Sequence, residues 1–101
     1  SSYQRAIILD PQNPTYRLNL GGVYYSLGNY DEALRLFEQA ATLKPDWPNG
    51  HYNLAWALYQ EKDYPRAAME METVTKLLDP QKDAADLTKA QKDLEEFKKK
   101  L

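Results

Sequence analysis

The chain repeats itself with a period of 34 residues. At that shift Asn19 falls on Asn53, Leu20 on Leu54, Tyr25 on Tyr59, Tyr30 on Tyr64 and Ala33 on Ala67, and Pro14 falls on Pro48. The register also runs backwards, with Tyr3 on Phe37, Ala6 on Ala40, Leu9 on Leu43 and Pro11 on Pro45. Leu43 then meets Leu77, while Pro80 comes one residue late, which marks a one-residue insertion near the end of the last unit. Short units in tandem cannot bury an apolar face singly, so they fold by stacking on their copies. The repeat therefore restricts the chain to a linear array.

Each unit reads as two helices. Asn13 and Pro14 open the first, an N-cap followed by a residue whose fixed φ suits the first turn, and Leu27-Gly28 close it where glycine tolerates the left-handed conformation. The second begins at Asn29-Tyr30-Asp31-Glu32, a cap with acidic residues against the positive end of the helix dipole, and stops at Lys44-Pro45. A third helix from Pro48 to Glu61 and a fourth from Asp63-Tyr64-Pro65 to Leu78 repeat the scheme, and no segment alternates with the period of a strand.

With Leu20-Gly21, Tyr24, Ala33, Phe37, Ala40 and Pro45 at these spacings, the unit resembles the tetratricopeptide repeat. The next unit matches with Leu54-Ala55, Leu58, Ala67 and Met71, although Val74 replaces a small alanine and Arg17 and His51 stand where the family often has Trp. The resemblance implies an all-α fold, a right-handed superhelical solenoid of antiparallel helix pairs, in which small residues let helix backbones approach closely. It divides the chain into residues 1–12 as the second helix of a truncated repeat, 14–46 and 48–79 as repeats, and 81–101 as a C-terminal capping helix. Leu87, Ala90, Leu94, Phe97 and Leu101 give that last segment one apolar stripe, which suits the cover a solenoid needs over its final face better than a short coiled coil. The start inside a repeat is expected of a piece of a longer protein, and the repeats are similar to bacterial examples found as tails of membrane or envelope proteins.

Composition excludes several classes of function. A net charge of -2 offers no basic field for nucleic acid or anionic lipid, and the longest aliphatic run, Ala6-Ile7-Ile8-Leu9, is far too short for direct membrane insertion. These features suit a soluble domain of cytoplasm or periplasm. One histidine and no cysteine leave no metal cluster or Cys–His pair to assemble, so neither an enzyme nor a cofactor is expected. Gly21-Gly22 and Gly28 lie in and after a helix and form no phosphate-binding loop. His51 is open to two readings, a switch or an interhelical packing residue, with packing preferred; Trp47 is expected to wedge between units.

Aromatic residues reach 12%, eight of them tyrosine, and their placement directs the functional reading. In the first helix Leu20, Gly21, Tyr24 and Leu27 form the face expected against the partner helix, and one such stripe suffices to hold a helix. A second stripe remains: Leu18, Gly22 and Tyr25, matched in the next unit by Tyr52, Trp56 and Tyr59, with Asn19 and Ser26, then Asn53 and Gln60, beside them. The resemblance places these on the concave surface, where the family takes up extended peptides or partner helices. Rings give contact area with little rotamer entropy lost, and amides can pair with a peptide backbone.

The expected ligand groove is thus Leu18, Asn19, Gly22, Tyr25, Tyr52, Asn53, Trp56, Tyr59 and Gln60. Some relatives grip a terminal carboxylate with lysines and an arginine. Leu18, Gly22, Tyr52 and Trp56 supply none, so an apolar or aromatic-rich protein or peptide partner is expected. Two alternatives stand beside the groove: the rings only pack the helices together, or the chain is a spacer that self-associates weakly through its N-terminal end, where Tyr3 and Ile7 lack a partner.

Overall fold

The computed structural model describes residues 13–101, in which five helices follow one another: α1 (Pro14–Ser26), α2 (Tyr30–Leu43), α3 (Pro48–Gln60), α4 (Tyr64–Leu77) and α5 (Ala84–Lys98). The fold is all-α and of the expected repeat type. The second helix of a truncated repeat expected over residues 1–12, and with it Tyr3 and Ile7, falls outside the described residues.

Local chemistry sets the helix limits. Asn13 Oδ1 accepts from the Thr15 N–H at 3.0 Å, Asn29 Oδ1 from that of Glu32 at 3.5 Å, and Asp63 Oδ1 from that of Arg66 at 3.4 Å. The two first helices also end alike. Asn29 N–H donates to the Tyr24 carbonyl and Gly28 N–H to that of Tyr25; Asp63 and Lys62 repeat both bonds onto Leu58 and Tyr59. This closure needs a left-handed residue, which is Gly28 (φ 81°) in one unit and Lys62 (φ 64°) in the other. A Cβ is strained there, so Lys62→Gly is expected to stabilise the chain by about 0.5–1 kcal/mol, after the greater freedom of glycine in the unfolded chain is subtracted. A melting temperature that fell would contradict this.

The capped turns fold α2 back on α1 and α4 back on α3, and small residues set the spacing. Ala33, Ala40, Ala55 and Ala67 are fully buried, and Gly21 faces α2 so closely that a Cβ would lie 2.6 Å from a ring carbon of Phe37. Between units, a Cβ on Gly50 would meet the backbone of Ala41 at 3.4 Å. The core runs through these contacts to Phe97, so that α5 packs on α4 and α3.

Two expected core positions fall outside it. Leu27 is 74% exposed, because α1 has ended at Ser26 and the closing turn carries its side chain outward. Leu101 is 69% exposed, because α5 stops at Lys98 and the apolar stripe stops with Phe97. Trp47 is half-buried in the turn between units, with the Lys44 ammonium 5.6 Å from its ring. Among the described residues no helix is long and apolar enough to cross a membrane.

Candidate functional site

Both first helices have their packing satisfied on one side, and α1 and α3 meet along another. A recess of about 320 Å³ lies there. Gly22, Tyr25 and Ser26 of α1 form one wall, Tyr52, Asn53 and Trp56 of α3 the other, and Phe37 of α2 the floor. Gly22 makes the opening: nothing stands within 4 Å of the place its Cβ would take. Adjacent glycines therefore do opposite things, Gly21 admitting a neighbouring helix and Gly22 leaving space empty.

The rings around the recess hold each other. Tyr25 stands edge-on to Tyr30 at 5.1 Å, and its hydroxyl accepts a hydrogen bond from Gln60 Nε2 at 3.1 Å. Trp56 stands edge-on to Tyr59 at 5.4 Å. The Asn53 amide nitrogen donates to the Asn49 carbonyl at 2.7 Å. Preorganised walls of this kind lose little entropy when a ligand arrives.

Helix α5 also reaches the site. Tyr52 donates its hydroxyl proton to Asp93 Oδ2 at 3.2 Å, and the Lys89 ammonium sits 5.3 Å from the Tyr52 ring. Hydrogen bonding to Tyr52 holds Lys89 above the ordinary lysine range, with Asp93 and Asp86 adding to the effect. A smaller recess of about 160 Å³ opens on this side of Tyr52, floored by Val74 and Ala90 and rimmed by Asn49, Asp86 and Lys89. Tyr52 is thus the partition between two recesses.

The expected groove residues divide accordingly. Gly22, Tyr25, Tyr52, Asn53 and Trp56 come together around the larger recess. Leu18 packs half-buried against the core and Asn19 is exposed, neither lining it. Tyr59 is turned to α5, stacked on Phe97, and Gln60 serves Tyr25. The reading of the sequence missed the floor, Phe37, which belongs to α2, and the hold of Asp93, Lys89 and Phe97 on α3 from a helix outside the repeat. Helix α5 begins 36 residues after α3, against 34 between α1 and α3, so alignment of units could not place those contacts.

His51 links three parts of the chain. Its Nδ1 lies 2.7 Å from Glu70 Oε2 on α4, and its Nε2 lies 2.6 Å from the Pro45 carbonyl in the turn before α3. A ring protonated on both nitrogens donates to both. Its place is between helices and away from the recess. Among the described residues there is no group of three or more side chains able to hold a metal ion.

A profile of the TPR repeat matches residues 1–28 and 21–62. The small glutamine-rich tetratricopeptide repeat-containing protein 2 of Saccharomyces cerevisiae is 34% identical over 102 residues, an alignment covering 100% of this chain and 28% of that protein. The chain thus spans little more than a quarter of that relative's length. In fold, the type III secretion translocator chaperone SycD of Yersinia enterocolitica is similar at a TM-score of 0.90 and 22% identity, over 97% of this chain and 68% of that one. PcrH, solved in complex with the chaperone binding region of PopD, is similar at a TM-score of 0.87 and 26% identity, over 95% and 73%. The similarity reaches a yeast protein as well as a Yersinia one, so it is not confined to bacteria.

Proposed function

The chain belongs to the TPR repeat family, and on that footing we propose that it is a protein-interaction module whose α1–α3 recess takes up a peptide or a partner helix. The observation that carries this reading is the recess itself, walled by Tyr25, Tyr52 and Trp56 between helices that other faces already hold in place. Aromatic walls of this sort are enriched where proteins meet. The PcrH structure supports it, since a chain of like architecture was solved with a region of another protein.

The lining favours an apolar or aromatic-rich ligand over a clamped carboxylate. None of the residues around the larger recess is basic. Lys89, beside the smaller one, has Asp86 and Asp93 close enough to act on its charge. Asn53 commits its Nδ2 to Asn49 and offers its Oδ1 to a backbone N–H of the ligand.

Peptides selected from a random display library on the wild-type chain provide the test. Asn53→Ala is expected to weaken such peptides by about 1 kcal/mol, the value of one hydrogen bond, with helicity by circular dichroism unchanged. Equal affinity for wild type and variant would remove Asn53 from the site. Trp56→Ala is a poorer probe than its position on the recess suggests, because Trp56 also supports the buried Phe97.

A further inference from the structure

We propose that the recess over Gly22 is a socket for a single aromatic ring, phenylalanine above all, presented by the partner segment. This rests on the recess being the binding site and adds which side chain fills it. The chain itself provides the precedent. In the second unit Tyr59 stands edge-on to Tyr64 (5.3 Å, 67°), and the Phe97 ring from α5 stacks on Tyr59 at 4.7 Å and meets Trp56 edge-on at 4.9 Å. Phe97 is 0% exposed, so a phenyl group stacked on Tyr59 is sealed within the core of that unit.

The first unit builds the same receiving pair and leaves it open. Tyr25 stands edge-on to Tyr30 in nearly identical geometry (5.1 Å, 67°), at the positions that Tyr59 and Tyr64 occupy one repeat later. The 34-residue register puts Gly22 where the second unit has Trp56. Helix α3 ends at Gln60 and brings no counterpart of Phe97 to Tyr25, whereas α5 is longer and does so for Tyr59. Phe37 replaces Met71 and lies tilted at 6.4 Å from Tyr25, a floor and not a stacking partner. An entering ring would find Tyr25 on one wall, Trp56 on the other and Phe37 beneath. Ring pairs at such separations contribute about 0.5–1.5 kcal/mol beyond the area they bury, a gain no aliphatic side chain obtains.

The test titrates isotope-labelled protein with N-acetylphenylalaninamide and, separately, N-acetylleucinamide to millimolar concentration, followed by nuclear magnetic resonance. The phenylalanine amide is expected to shift the signals of Gly22, Tyr25, Asn53 and Trp56, binding about 3- to 10-fold more tightly than the leucine amide. Gly22→Leu, whose side chain fills the open space and offers no ring, is expected to abolish those shifts. Equal binding of the two amides, or phenylalanine shifts that persist in Gly22→Leu, would overturn the socket. Library-selected peptides separate this from the larger reading. A peptide that loses affinity in Gly22→Leu but tolerates Phe→Leu in its own sequence refutes the socket and leaves the recess as the binding site; one indifferent to both refutes both.

Discussion

Phe97→Ala is expected to lower the stability of the chain by about 3–5 kcal/mol, the usual cost of removing a buried phenylalanine from a well-packed site. The side chain is wholly buried between Trp56 and Tyr59, so little can collapse into the space it leaves. Against a total stability of about 5–15 kcal/mol for a domain, that is a large share. The damage has a direction. Phe97 ties α5 to α3, and α5 otherwise packs mainly on α4, whereas α1 and α2 pack chiefly on each other. Amide exchange is therefore expected to rise first in α5 and least in α1 and α2. Urea titration gives the magnitude, and a loss below about 1 kcal/mol would show that α5 is not held by this ring.

Gly22→Leu is expected to separate stability from binding. Leucine is a better helix former than glycine by roughly 0.5–1 kcal/mol, and its Cβ meets nothing within 4 Å, so the variant should melt several degrees higher. The same side chain projects into the recess, and library-selected peptides are expected to bind at least about tenfold more weakly, the loss of one good anchor pocket. Gly21 is the control by contrast: there a Cβ would strike the Phe37 ring, and a substitution would disturb the fold before it said anything of binding. Gly22→Leu protein that binds as wild type does would place the ligand elsewhere.

Much of this was legible in the residues. Asn13, Asn29 and Asp63 are the caps their type and position announce, and Gly28 closes α1 as expected. Lys62 shows how far such reading goes, since it takes the same left-handed turn without being glycine. There the backbone bonds of the repeat outweigh the preference of one residue. The second stripe of each first helix was equally visible, yet its residues part company in space. Leu18 packs half-buried outside the recess, Tyr59 stacks on Phe97, and Gly22, Tyr25, Tyr52, Asn53 and Trp56 line the recess.

Sequence alone determined the period, the helices, their ends and the small residues at which they touch, because these follow from backbone preference and spacing within about one unit. Tertiary structure decided which apolar surface stayed open. Gln60 meets Tyr25 across 35 residues and Asp93 meets Tyr52 across 41, from a helix that has left the register of the repeat. Whether a ring on a helix is sealed or offered depends on what arrives against it from such distances, and no periodicity within the helix records that.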